Sequence, residues 1–263
     1  MTDLDYVSQK ITGVIDKFLC EKFHKRTAKL PAGKYVSLCF DDFPQSAARV
    51  AAPMIEARGW RATWYVAGSF MDTEEPNFGT MFSAEDLKRL HQNGHDFGCH
   101  TFDHVDCREA ELEDIHEQCE RSERFLAEHG ISEIKSFAFP FGNANLDAKR
   151  TMLRSDLALR GVKRGTNRGD VDMGMLRACG LQDNCNGTGD AKAEIDGLAK
   201  TDGWVIIFTH DIRANPSYWG VTPENYQDLL DHIERSGAEV VTVGEMTDRI
   251  AAQAQASDKT AAA

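Results

Sequence analysis

The sequence has no excess of positive charge, no long apolar run, no C-x-x-C pair and few prolines, and each absence narrows the field. Its 30 Lys and Arg stand against 42 Asp and Glu, a formal net charge of -12 over 263 residues. So acidic a chain is repelled by phosphate backbones and anionic lipid, which excludes nucleic-acid binding driven by overall charge. No stretch reaches the roughly 18 apolar residues that a membrane-spanning helix needs. The opening Met-Thr-Asp-Leu-Asp-Tyr is acidic where an export signal is basic, so cytoplasmic residence is the expectation. The seven cysteines are odd in number and widely spaced, which fits a reduced compartment. With seven prolines and no repeat or low-complexity segment, nothing marks a linker between separate domains. Hydrophobic residues at 41% still provide a core to bury.

What is present is an alternation of short β-branched and aromatic runs with helical patterns, the signature of a parallel α/β fold. Strands are expected at about 35–40, 61–66, 96–100, 135–139, 162–166, 204–209 and 239–243. Seven candidates favour a distorted (β/α) barrel over an open sheet. Ser83 followed by Asp86 reads as a capping box, and Gly59, Gly94, Gly130 and Gly237 are placed to end helices. Residues 1–30 form an amphipathic helical arm (Val14, Ile15, Phe18, Leu19) expected to pack on the domain at 31–250. Residues 251–263 carry Ala, Gln, Ser and Lys without apolar periodicity and are expected to fray as a flexible tail.

The unusual polar residues fall at the C-terminal ends of expected strands, where barrels and open α/β sheets place their chemistry. Asp41 and Asp42 follow the run that ends at Phe40. His100 closes Asp-Phe-Gly-Cys-His, with His104 a loop turn beyond, and His210 ends Trp-Val-Ile-Ile-Phe-Thr. Two imidazoles and a carboxylate make three protein ligands with a fourth position open, the composition of a catalytic zinc site. The second aspartate is then free to act on water, and the imidazole of His210 is a candidate acid. An Asp-Asp pair also caps helices, so a structural use of Asp41 and Asp42 competes with this reading. A second H-x-x-x-H pair, His91 and His95, straddles Gly94 on a helix end and lacks a partner carboxylate, so it reads as structural.

The ordered set Phe40-Asp41-Asp42, His100-Thr-Phe-Asp-His104, Phe139-Pro140-Phe141-Gly142 and Ile207-Phe-Thr-His210 resembles the polysaccharide deacetylase family, the NodB-homology group of carbohydrate esterases, over roughly 34–250. The resemblance implies a hydrolase with one divalent metal, usually zinc, that removes acetyl groups from glycans. It implies Asp41 as base, His210 as acid, Asp42, His100 and His104 as metal ligands, and the Phe141 N–H as an oxyanion donor beside Pro140. Two departures stand out. Phe43 occupies a position usually held by Gly and is expected near the groove entrance. Ala138 stands where the family often has an Arg that supports the base, with Arg164, Arg168 and Arg177 as replacements to consider. The carboxylate that tunes the acid histidine is sought among Asp170, Asp172 and Asp183.

The expected substrate is an N-acetylated sugar, glycan or lipid-linked sugar, the last met by peripheral contact with a membrane face. A small amide or formamide on the same fold, or a catalytically silent glycan-binding protein, are the alternatives. Residues 68–82 are long and aperiodic for a connection and suit a lid or groove wall. Tyr218 and Trp219 are aromatics placed to stack on a sugar ring, or simply to pack the loop.

Overall fold

The computed structural model describes residues 3–261, and the side chains of residues 12–257. Seven parallel strands curl into a distorted barrel: β1 (Lys34–Asp41), β2 (Thr63–Val66), β3 (Asp96–Cys99), β4 (Ser136–Ala138), β5 (Ala158–Arg160), β6 (Cys179–Gly180) and β7 (Gly203–Thr209). Their spatial order is β6-β7-β1-β2-β3-β4-β5. The two ends of that order meet through the segment entering β6, where Leu176 bridges Arg160 and donates its N–H to Leu159 O at 2.8 Å. A short β8 (Glu239–Val240) pairs with the N-terminal half of β1.

β1 and β7 are buried along almost their whole length, so successive residues serve two apolar environments. Tyr35 and Cys39 meet Trp204, Ile206 and Phe208 in one cluster inside the barrel. Val36, Leu38 and Phe40 join Val205 and Ile207 in a second cluster under the helices. Those helices are α1 (Asp3–Lys22), α2 (Ala52–Glu56), α3 (Ala84–Gln92), α4 (Leu112–Glu128), α5 (Leu146–Met152), α6 (Gly187–Gly197), α7 (Pro223–Ser236) and α8 (Val243–Ala261). The capping box forms: Ser83 Oγ accepts from the Asp86 N–H at 3.2 Å, and the Asp86 carboxylate accepts from the Ser83 N–H at 3.1 Å.

Four sequence expectations shift. The fifth strand lies at 158–160 and not at 162–166, because the apolar Leu157-Ala158-Leu159 is the buried run, and Gly161 and Gly165 interrupt the chain on either side of residues 162–164. Cys179–Gly180 supplies the seventh strand of the ring, whereas 239–240 pairs outside it. The expected tail is helical through Ala261, consistent with its Ala and Gln content. Of residues 1–30, Asp3–Lys22 are helical, whereas 27–29 pair as a strand with 170–172; Val14, Ile15 and Phe18 of the apolar stripe are exposed, and the helix is held at its C-terminal end. There the buried Lys149 ammonium donates to the carbonyls of Cys20 (2.6 Å) and Phe23 (3.2 Å) and pairs with Asp172 (2.8 Å).

Candidate active site

Strand register sets the functional residues at one height. Asp41 is level with Tyr65, Thr209 with Phe40, Val66 with Cys99, and Ala138 with Arg160. Asp42, His100 and His210, each leaving its strand end, therefore converge on one rim. The backbone there is unusual: Asp42, Phe43, Thr101, His104 and Phe141 all have φ between 52° and 65°, the left-handed region that side chains other than glycine avoid. These turns redirect each side chain as its strand ends. The aspartates cap no helix, and the helical turn that follows begins at Ser46 without a side-chain cap.

Asp42, His100 and His104 offer ligand atoms that all lie within 4.8 Å of one another. Asp42 Oδ1 faces His104 Nε2 at 3.1 Å and His100 Nε2 at 3.4 Å, and its Oδ2 lies 3.7 Å from His210 Nε2. His100 Nδ1 donates to the Ala138 carbonyl at 2.7 Å. That bond fixes the tautomer and turns a bare Nε2 toward Asp42, the arrangement that orients imidazole ligands in metal sites. Burial, then the neighbouring His104 charge, pushes His100 down to about 4, so the ring is neutral at physiological pH. Burial would raise the Asp42 carboxyl, but the close approach and charge of His104, with the charges of His210 and His100, hold it well below the usual carboxylate range. Asp41 Oδ1, Asp42 Oδ1 and His210 Nδ1 are buried without hydrogen-bond partners. Two imidazoles, a carboxylate and unmatched oxygen atoms in one pocket fit a divalent cation.

Asp41 is paired through its other oxygen. Arg160 Nη2 donates to Asp41 Oδ2 at 2.6 Å, and the guanidinium is fully buried between the rings of Tyr65 (4.9 Å) and Phe208 (4.6 Å). Arg160 is the cross-strand neighbour of Ala138, so the charge absent from one strand is supplied by the next. None of the arginines expected for this duty performs it. Arg164 pairs with Asp190 and Glu194, Arg168 donates to Thr201 and Asp202 carbonyls, and Arg177 donates to the Arg164 carbonyl. The carboxylates considered for His210 are likewise engaged elsewhere: Asp172 with Lys149, and Asp183 with Thr222 and Asn225. Asp170 is exposed on a strand beside Lys29.

A cavity of about 740 Å³ opens above these groups. Phe141 and Trp219 line it, while Pro140 is buried and Tyr218 is 65% exposed outside the lining. Phe43 is fully buried, stacked on Phe82 at 4.6 Å and against Trp64 at 4.8 Å, and does not reach the cavity. The long 68–82 segment does, through Phe70, Glu75, Asn77 and Phe78. His91 is exposed, and buried His95 is satisfied, its Nδ1 accepting from the Ala62 N–H and Trp64 Nε1, both at 3.1 Å. Cys99 and Cys107 pack in the core, away from the ligand cluster.

The sequence pattern of the polysaccharide deacetylase family matches residues 28–159, half of the chain. No curated protein matches it. Among solved structures, a chitin deacetylase from Colletotrichum lindemuthianum is similar at 17% identity and a TM-score of 0.59, over 83% of this chain and 89% of that one. A family 4 acetyl xylan esterase from Clostridium thermocellum, in complex with a cobalt ion, is similar at 20% identity and 0.58, over 81% and 90%. A CE4 family pseudoenzyme from Bacillus anthracis is similar at 13% identity and 0.54, over 82% and 66%. These likenesses concern the fold, whereas the family's own pattern spans Asp41, Asp42, His100 and His104 as well as the strands that carry them. On that match, the chain belongs to the polysaccharide deacetylase family.

Proposed function

We propose that the protein is a metal-dependent hydrolase that removes the acetyl group from an N-acetylated sugar. The observation that carries this reading is the juxtaposition of a paired aspartate, Asp41, with the Asp42, His100 and His104 cluster and His210 at the mouth of one cavity. A divalent cation, zinc by the donor set, would be held by Asp42, His100 and His104, and supplies Lewis acidity that makes water more acidic and polarises a carbonyl.

The chain's own residues then divide the work. Ala138 O keeps His100 presenting Nε2. Arg160 occupies Asp41 Oδ2 and leaves Oδ1 free to accept a proton from the attacking water. His210, across the site, returns a proton to the departing sugar amine, and the Phe141 N–H serves the oxygen that gains charge. Phe70 and Phe141, with ring centroids 5.5 and 4.4 Å from His104, limit the access of bulk water. The seven cysteines, all free, suit the proposed cytoplasmic setting.

Metal analysis of the purified protein with an acetate-release assay on N-acetylated sugars tests the reading. Bound zinc, and release that a chelator stops and zinc restores, are expected. Protein that binds no metal and releases no acetate overturns it. A second reading, sugar binding without turnover, is favoured by one feature: His210 Nδ1 has no carboxylate to support it. Saturable binding of the same sugars with no release would establish that reading instead.

A further inference from the structure

A groove that passes a polymer must leave the reacting unit on two sides. Here the cavity is walled by loops following most of the barrel strands, at 70–78, 141–142, 162–164, 179–190 and 210–219. On the His210 side the wall is aromatic. The Phe78 ring lies flat on the His210 imidazole, with centroids 5.3 Å apart and planes within 5°, and Trp219 closes against both at 6.1 and 6.3 Å.

Phe78 sits at the tip of a small hairpin, Glu74–Glu75 paired with Gly79–Thr80, and that hairpin is fixed from two directions. Arg213 donates to the carbonyls of Asn77 (2.5 Å) and Phe78 (3.2 Å), and its Nε lies 2.7 Å from Asp211. Asp211 is fully buried and also accepts from the Ser217 N–H (2.9 Å) and hydroxyl (2.5 Å), which sets the loop carrying Trp219. At the hairpin base, Phe82 stacks on Phe43 and Met81 bridges Pro44. The bulky Phe43 thus acts beneath the hairpin, as its anchor. One buried aspartate and one arginine tie both aromatic walls together, so the closure is built and not incidental.

We infer that Phe78 is a specificity-determining residue that blocks one exit of the site. Resting on the deacetylase reading above, the substrate class is then a single N-acetylated sugar unit, free or at the end of a short chain, and not an internal unit of a polymer. The far end of the cavity offers nothing to an anionic ligand. Arg164, the cationic side chain among the lining residues, is already engaged by Asp190 (2.6 Å) and Glu194 (3.3 Å) and offers no free charge to a phosphate or carboxylate.

The test is acetate release from soluble, neutral N-acetylated sugar oligomers of increasing length, with the deacetylated position read by mass spectrometry. The native protein is expected to release acetate from monomers and from terminal units at every length. Phe78→Ala, and independently Arg213→Met, which frees the hairpin without touching the pocket floor, are expected to raise the ratio of internal to terminal release by about tenfold or more. Release from internal units by the native protein, or an unchanged ratio in both variants, overturns the inference and leaves the deacetylase reading standing. No release from any sugar, monomers included, overturns both.

Discussion

The two ends of the barrel solve the same backbone problem with different residues. Where α3 and α7 end and the chain turns back toward the strand starts, the left-handed positions are Gly94 (φ 81°) and Gly237 (φ 68°), which adopt that conformation at no steric cost. At the opposite rim the same conformation is carried by Asp42, Phe43, Thr101, His104 and Phe141. Polar groups follow the division. At the strand starts Trp204 Nε1 donates to Ser37 Oγ (2.8 Å), which donates to Val241 O (2.7 Å), and Asp96 accepts from the Thr63 hydroxyl and the Gly244 N–H. At the rim, Asp41 Oδ1, Asp42 Oδ1 and His210 Nδ1 are among the buried polar atoms left unmatched. These strand-start groups are satisfied for stability, and the rim retains strain and open valence that a ligand or a reaction can use.

The sharpest way to break this contrast is to remove the rim's central carboxylate. Asp42→Ala is expected to lose bound metal, together with activity by a factor on the order of 10³ or more. Its thermal midpoint is expected to fall by a few degrees, because the attraction of His104, His210 and His100 for the Asp42 carboxylate outweighs the cost of its burial. Metal analysis, acetate release and a thermal scan on one preparation decide it. A variant that keeps metal and activity removes the ligand assignment, and one that fails to fold removes the contrast.

Arg160 gives the rim its fully buried guanidinium, paired with Asp41. Arg160→Ala leaves Asp41 buried without its partner and is expected to cost about 3 kcal/mol of stability, with activity down about a hundredfold. Because Ala138 and Arg160 are direct cross-strand partners, Ala138→Arg added to Arg160→Ala puts a guanidinium one strand over, facing the same carboxylate. The double variant is expected to recover most of the loss, measured by urea unfolding and the pH profile of turnover. Full activity in the single variant would show that Asp41 needs no support.

Much of the rim was legible because the chemistry-bearing residues stand directly after the long, uniformly apolar strands, as Asp41 and His210 do. Arg160 was not, since Ala158-Leu159-Arg160 is too short and too poor in β-branched residues to compete with Val162 for the strand assignment. Its signal was there in the same form, a charge ending an apolar run. Cys179–Gly180 carries no strand propensity and is held in place by its neighbour β7. The aspect of Phe43 was illegible for another reason. A left-handed turn at Asp42 and Phe43 sends the ring into the core, and sequence spacing does not report the sign of φ.

A pH series sharpens the other side of the comparison. Burial raises Asp96 to about 6, against the hydrogen bonds from Gly244, Thr63 and Phe97 and the more distant charge of Lys135. The folded state therefore binds a proton more tightly than the unfolded chain, whose aspartate titrates near 3.9. The stability this confers is fully present below about pH 4 and is lost as pH rises through 6. Asp96→Asn, which keeps an acceptor for Gly244 and Thr63, is expected to gain on the native protein across that window, by up to about 3 kcal/mol at neutral pH. Urea midpoints at pH 4 and pH 7 check this, and a constant difference between the two proteins would show that Asp96 stays charged throughout.

The smallest effect is expected at Gly237, and it isolates the backbone term of the comparison. A Cβ built there meets nothing within 4 Å, so Gly237→Ala adds no clash and changes only the cost of the left-handed conformation, about 1 kcal/mol. That corresponds to a fall of roughly 2–4 °C in thermal midpoint for a chain of this size, with turnover unchanged. The rim carries five such penalties on residues that glycine could replace more cheaply, so the measured loss at Gly237 is also a per-residue gauge of the strain held around the cavity. A neutral Gly237→Ala would mean that the left-handed turns cost this fold little, and that the rim's φ values are no mark of function.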